Sequence, residues 1–485
     1  MWSRRVLPVL AAMSVAATAC LPDNPAGWLT TATTATTEPV TTGDPTETGG
    51  GPETGLFACA SPTCTLLLVS QTLDDRIDVF DLDTRTLRGR IALDLKPDPS
   101  GQQISGNLLD EPYELALTAT DLIVTVGHYP DTDQGSLLRF PRTAFAALPA
   151  GDTFATGGFF KNATFSAGVE GLAHGRREGI FMLSHPSGRL LVGVFANNLQ
   201  TALWTTPSEV LVIDPADFSA TPASVDLGAL SVPCIGAWRL TPLDDDMKRI
   251  AVACDGSETV AVLTLPDDFA TAPTAKATAG ITGCGFKLGG GDAWTTQFVA
   301  PDGAGGLLAM QTQLAESPRL WQLNGDCGIT SVPGKDVPPA LQQVNLLRQP
   351  VLLRPSGDSA PLWLVASALP DPGVVIVRGG AMATMCGRLE GLGLLATANA
   401  PWALALDATG EHLAIGAGVP NNPELSEGKG QVLWATLDRS KEDSCEIMAT
   451  DVVDLNAGRY KISQPETWVR APNVLVLAEL TGGGT

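Results

Sequence analysis

Positive charge is what this chain lacks most. Across 485 residues, 30 Lys and Arg stand against 52 Asp and Glu, a net charge of −22. Nucleic-acid phosphates are neutralised by clustered Lys and Arg, so nucleic acid is excluded as a partner. The same deficit excludes docking on anionic lipid headgroups. Charge of either sign is scarce, at 17% of residues against roughly 25% in ordinary soluble domains. Only 4 His are present, in no cluster, which leaves little material for a zinc site or a His-based triad. The G-x-S-x-G, H-E-x-x-H and P-loop motifs are all missing. No segment has 18 uninterrupted apolar residues, so no spanning helix is expected.

What is present begins with an address. In residues 1–19, Arg4 and Arg5 precede a short apolar stretch and then Ala17-Thr18-Ala19-Cys20. This is the layout of a secretory signal and stands outside the fold. The run into Cys20 resembles the lipobox of bacterial lipoproteins, although Ala17 stands where that motif usually carries Leu. The resemblance implies cleavage before Cys20, acylation of that cysteine, and a lipid anchor on a membrane of the cell envelope. Leu21 in place of Asp implies, by the rule of enteric-type bacteria, the outer membrane.

Residues 21–57 follow, rich in Thr, Gly and Pro, with five acids and no Lys or Arg. Such a stretch buries too little apolar surface to offset its ordering entropy, so a disordered tether is expected. Its mean reach as a flexible coil is about 35 Å.

Residues 58–485 are expected to form a single all-β body. Short apolar runs recur: Leu66-Leu67-Leu68-Val69, Leu122-Ile123-Val124, Leu190-Leu191-Val192, Ile250-Ala251-Val252, Leu307-Leu308-Ala309-Met310, Leu362-Trp363-Leu364-Val365, Leu413-Ala414-Ile415 and Val474-Leu475-Val476-Leu477. Bounded by turn residues, they suit strands buried on both faces. Most are followed by a second strand ending in a Pro or Asp turn, as in Val79-Phe80-Asp81-Leu82-Asp83. Several are preceded by a polar residue and a Pro, as in Glu111-Pro112-Tyr113 and Pro401-Trp402. Each period thus holds about four short strands, the content of a β-propeller blade. The unit from Leu66 to Thr84 resembles the YVTN-type bacterial propeller repeat, an apolar strand, an Asp-rich turn and a strand ending in Asp-x-x-Thr. Seven four-stranded antiparallel blades are expected, with eight the alternative. The first unit lacks an inner strand, which a C-terminal strand within residues 464–480 would supply.

Cysteine divides between the two regions. Cys20 is assigned to lipid. Cys59, Cys64, Cys234, Cys254, Cys284, Cys327, Cys386 and Cys445 remain, an even number suited to disulfides in an exported chain. Spacing favours Cys59–Cys64 and Cys234–Cys254; Cys284–Cys327 and Cys386–Cys445 follow by elimination.

Chemistry is expected, if anywhere, at one mouth of the central channel. The residues just before the innermost strands would line it: Glu111, Glu170, Gln349, Asn399 and Gln464. Propeller lactonases use such a ring of acid and amide groups for a divalent ion, which makes Ca²⁺ or Mg²⁺ the alternative to no cofactor. Residues 131–135 resemble a calcium loop without its downstream Glu, and Gly289-Gly290-Gly291 reads as a turn. The expected function is a non-enzymatic binding or scaffold module for a protein or glycan, with a monomeric body. A lactonase-like hydrolase and an envelope assembly scaffold are the alternatives. If Cys20 carries the anchor, a Cys20→Ser variant moves from the membrane to the soluble fraction on centrifugation; retention on membranes refutes the anchor.

Overall fold

The computed structural model describes residues 55–481 apart from 72–74, 94–108, 130–135, 149–157, 162–166, 171–176, 197–206, 217–221, 290–294, 313–318, 325–328, 332–343, 355–359, 371, 381–382, 394–399, 419–428, 457–459, 462–471 and 473. The signal segment, Cys20, residues 21–54 of the tether, the 131–135 loop, His174, Cys327, Asn399 and Gln464 lie outside the described residues.

The chain forms successive four-stranded antiparallel meanders. The first group contains β1 (Thr63–Gln71), β2 (Arg76–Asp81) and β3 (Thr86–Ala92). Next come β4 (Leu109–Leu117), β5 (Asp121–Tyr129), β6 (Ser136–Pro141) and, after β7 (Gly158–Lys161), β8 (Ala167–Glu170). The third group is β9 (Arg177–Ser184), β10 (Leu190–Ala196), β11 (Glu209–Ile213) and β12 (Ala223–Asp226). Then follow β13 (Ala237–Pro242), β14 (Arg249–Cys254), β15 (Thr259–Thr264), the short helix α1 (Thr274–Ala279) and β16 (Thr282–Lys287). The fifth group is β17 (Thr295–Pro301), β18 (Leu307–Thr312), β19 (Arg319–Leu323) and β20 (Ile329–Ser331). The sixth is β21 (Val344–Arg354), β22 (Leu362–Pro370), β23 (Gly373–Arg378) and β24 (Thr384–Glu390). Last come β25 (Pro401–Leu406), β26 (His412–Ala417), β27 (Lys429–Lys441) and β28 (Glu446–Asp454), then β29 (Tyr460–Lys461) against β27, and β30 (Val474–Thr481). β7 adds in parallel to the edge of β3, and β24 pairs in parallel with β28.

Closure comes from the chain's end. β30 pairs antiparallel with β1, from Thr63 opposite Thr481 to Ser70 opposite Val474. The eighth apolar run of the sequence is therefore the missing innermost strand of the first group. The innermost strands touch in sequence, β30 to β4, β9, β13, β17, β21, β25 and back to β30. A ring of radially arranged antiparallel sheets is a β-propeller.

The first seven apolar runs are second strands, and their two faces feed different interfaces. In β1, Leu66 and Leu68 pack against Leu122 and Val124 of the next group, whereas Leu67 and Val69 pack against Ala414 and Val432 of the last. Likewise Ile250 and Val252 of β14 join Leu191 and Val210, while Ala251 and Ala253 join Leu307 and Ala309. Every one of these side chains is fully buried. That is why the runs are continuous and not alternating. At roughly 1.5–3 kcal/mol per fully buried large aliphatic side chain, these interfaces dominate stability.

Three disulfides are defined, Cys59–Cys64, Cys234–Cys254 and Cys386–Cys445. Cys284 is also disulfide-bonded. Cys234–Cys254 joins the segment before β13 to the end of β14. Cys386–Cys445 ties β24 to the approach to β28, across the last two groups. Packing of the body reaches back to Gly55, inside the stretch expected as tether. Leu56 and Phe57 are buried, and Phe57 meets Phe145 edge-on at 5.2 Å.

Removing β30 opens the ring and exposes the inner edge of β1. A chain ending at residue 473 is expected to lose its cooperative thermal transition and to accumulate as aggregate; a soluble product with an unchanged transition would refute the closure.

Candidate functional site

The innermost strands share a local irregularity. On β4, β9, β13, β17, β21 and β25 the register with the second strand shifts, each shift leaving one extra residue on the inner strand, once on five of them and twice on β21. Such β-bulges increase twist and re-aim side chains. Aromatic residues occupy the extra positions at Tyr113, Trp238 and Trp402, all buried. Counted from the last residue pair between second and third strands, Glu114, Phe181 and Arg239 stand at one level of the ring, on β4, β9 and β13. Gln349 holds the same level on β21.

Glu114 and Arg239 meet across that level. Arg239 Nη1 donates to Glu114 Oε2 at 2.9 Å, although the two residues are 125 positions apart in sequence. The guanidinium lies over the Phe181 ring of the intervening sheet, 4.7 Å from its centroid. Phe181 in turn packs edge-on against Trp238 at 5.0 Å. Glu114 is 7% exposed and Arg239 9%. The Glu114 backbone N–H donates to Thr125 Oγ1 at 2.8 Å, fixing the bulge. Burial pushes the Glu114 carboxyl above its ordinary value, against the opposing pull of Arg239 and of a backbone hydrogen bond. Burial likewise draws the Arg239 guanidinium below its ordinary value, against the pull of Glu114.

This pair borders a cavity of about 740 Å³. Its walls include Phe181, Met182, Leu240, Trp363 and Pro350, and its rim includes Asp244, Asp245, Met247 and Gly303. The rim residues lie in the turns between innermost and second strands. Asp302 shapes one of these turns by accepting from the N–H groups of Ala304 and Gly306 at 2.7 and 2.8 Å. Arg249 holds Asp244 at 2.9 Å. The carboxyl of Asp244 falls below its ordinary value, because hydrogen bonds and charge from Arg249 outweigh the effect of burial. The cavity thus opens at the ends of the innermost strands, opposite the mouth at which their starts lie.

The five residues expected at a channel mouth are not assembled by the described structure. Glu111 lies near the start of β4, an innermost strand, opposite Gly127. Gln349 falls within the bulge of β21. Glu170 precedes the innermost strand β9 in sequence but ends β8, the outermost strand of its own sheet, opposite Ser136. Among the described residues, no three His, Cys, Asp or Glu side chains converge as metal ligands would. His185 bonds Ser187 at 2.8 Å and meets the Phe269 ring, and His412 bonds Asp407 at 2.9 Å and stacks on Trp434. Both are turn-forming contacts. Sequence reading missed Glu114 and Arg239. The available signal was a repeated triplet, Tyr113-Glu114-Leu115 and Trp238-Arg239-Leu240, each a lone charge between an aromatic and Leu in an inner strand.

No family model matches the chain, and no curated protein matches it. Among solved structures, a periplasmic gluconolactonase of Pseudomonas aeruginosa is similar at 14% identity and a TM-score of 0.44, over 81% of this chain and 96% of that one. The Cps50 (Swd1) β-propeller domain of Myceliophteria thermophila is similar at 11% identity and a TM-score of 0.40, over 71% and 89%. A functionally unknown protein of Desulfotomaculum acetoxidans is similar at 13% identity and a TM-score of 0.42, over 85% and 98%. Likeness at this level carries no information on chemistry.

Two outcomes test the buried pair. Arg239→Met alone strands a buried carboxylate and is expected to cost about 3–5 kcal/mol in denaturant melts, whereas Glu114→Leu with Arg239→Met is expected to equal or exceed the parent. Because folding raises the Glu114 value, the folded state holds that proton more tightly. Stability therefore falls as pH rises from below the ordinary glutamate range through the raised value, and returns on acidification. Glu114→Gln should flatten that limb of the stability curve; an unchanged curve refutes the assignment.

Proposed function

We propose that this protein is an exported, lipid-anchored, seven-bladed β-propeller that acts as a non-enzymatic binding module, with its site in the central cavity. The observation that carries the binding reading is the cavity itself. Its volume of about 740 Å³ suits a small ligand or the exposed end of a glycan. Small-molecule sites combine apolar walls with a few placed polar groups, and this lining carries both, Phe181, Leu240 and Trp363 beside Glu114, Arg239 and Thr241. The blade number rests on the succession of innermost strands that returns to β30. The anchor rests on the sequence into Cys20.

The tether joins the body on the cavity's side. β1 starts where β30 ends, at the end of the ring that carries the innermost-to-second turns. Cys59 Sγ lies 3.4 Å from the Leu480 carbonyl oxygen there. Arg142 Nη2 donates to the Phe57 carbonyl at 2.8 Å, and the Leu56 N–H donates to the Phe145 carbonyl at 2.8 Å. The cavity mouth and the root of the tether therefore share one face, and a ligand held at the membrane surface is within the tether's reach.

A metal-dependent hydrolase at the opposite mouth is the second reading. Its support is the placement of Glu111 and Gln349 on innermost strands. A rise in melting temperature with millimolar Ca²⁺ would favour it.

The binding reading is tested with the soluble Cys20→Ser chain incubated in envelope extract, re-purified and examined by native mass spectrometry. A retained small molecule that is lost in the cavity-filling variant Leu240→Trp is the expected result. Retention unchanged by Leu240→Trp, or no retained molecule at all, overturns the cavity as the site.

A further inference from the structure

The cavity's charges are arranged in a way that restricts what can enter. Glu114 and Arg239 bring one negative and one positive group to its inner end, paired at 2.9 Å and buried. The pair is neutral as a whole. An anion bound beside it would place a second negative charge next to the Glu114 carboxylate, and a cation a second positive charge next to the Arg239 guanidinium. Either leaves a net charge buried at the inner end, which is strongly unfavourable. An uncharged ligand with both donors and acceptors faces no such cost. It can donate to the remaining lone pairs of the carboxylate and accept from the guanidinium fork while the pair stays intact.

The rim adds a second filter. Asp244 and Asp245 border the opening, in a chain of net charge −22, so anions are repelled on approach. The walls supply the remaining requirement. Trp363, Leu240 and Pro350 offer apolar surface against which the C–H faces of a saturated ring can pack.

We infer that the cavity takes an uncharged hydroxyl-bearing ring, a sugar residue or cyclic polyol, and that Glu114 and Arg239 are the specificity-determining pair. The inference rests on the binding reading above and narrows it to one ligand class. It also distinguishes this site from one built for phosphorylated or carboxylated sugars, which would need an unpaired cation at the inner end.

The test uses three probes of one ring size with the Cys20→Ser chain: glucose, glucuronate and glucosamine, followed by protein-observed NMR or calorimetry, alongside inositol and N-acetylglucosamine. At least one neutral probe is expected to bind at least tenfold more tightly than both charged ones, with binding lost in Leu240→Trp. Glu114→Gln leaves Arg239 as a lone cation and should shift preference at least fivefold toward glucuronate. Arg239→Gln should shift it comparably toward glucosamine. A merely structural pair would weaken all three probes together, without a change of order, and that result overturns the specificity role. Glucuronate or glucosamine binding as well as every neutral probe refutes the ligand class. A charged molecule recovered in the cavity from envelope extract refutes the class but leaves the binding reading standing. An empty cavity in both experiments refutes both.

Discussion

Everything in this body depends on the sheet pairing of β30 with β1. Each sheet is apolar on both faces, so each needs a neighbour on both sides. A linear stack of such sheets would leave two apolar faces in water, at opposite ends. Only a ring removes them, and only a strand from one terminus pairing beside a strand near the other holds a ring shut. Leu67, Val69 and Leu475 show the consequence, since they share a cluster with Ala414 and Trp434 of the last group. Interface burial and ring closure are therefore one constraint, satisfied by residues more than 400 positions apart.

Ring geometry then dictates the centre. Innermost strands crowd towards an axis, and the extra residues on six of them add twist there. The bulge turns Tyr113, Trp238 and Trp402 into buried positions and places the next residue one level further along. At that level β4, β9 and β13 contribute Glu114, Phe181 and Arg239. Neighbouring sheets are close enough for a glutamate and an arginine two sheets apart to meet over the phenylalanine between them. The site is a product of the bulges, and the bulges are a product of closure.

This order explains what could be seen in the sequence. The second strands were legible because burial on both faces writes continuous apolar runs, and the C-terminal strand was legible because the first unit lacked an inner one. The pairs Cys59–Cys64 and Cys234–Cys254 were legible from close spacing and antiparallel neighbours. Glu170 comes shortly before the innermost strand β9 in sequence, which is why it read as a mouth residue, but it ends β8, which pairs with β6 at the outer edge of its sheet. Leu56 and Phe57 were taken into the tether because composition alone does not show that Arg142 bonds the Phe57 carbonyl and Arg88 the flanking carbonyls of Gly55 and Ala58. Glu114 and Arg239 were invisible singly. A lone charge in an apolar strand has no meaning until a partner of opposite sign appears at the same level of a strand two sheets away.

The pair is also poorly explained as a stabilising device. Desolvation disfavours both charged forms, raising the carboxyl's affinity for its proton and lowering the guanidinium's. Buried pairs of this kind are often matched or surpassed in stability by apolar residues of similar volume. Leucine and methionine at these two positions would suit the surrounding Phe181, Met182 and Leu240 without electrostatic cost. Of the other carboxylates at the cavity border, Asp244 is engaged by Arg249 within its own turn and Asp245 is exposed at the rim. A costly polar pair at the inner end of a cavity makes physical sense when a polar group arrives to use it. The described body begins at residue 55 on the face that carries the cavity mouth, so the proposed anchor and the proposed ligand would meet it from one side.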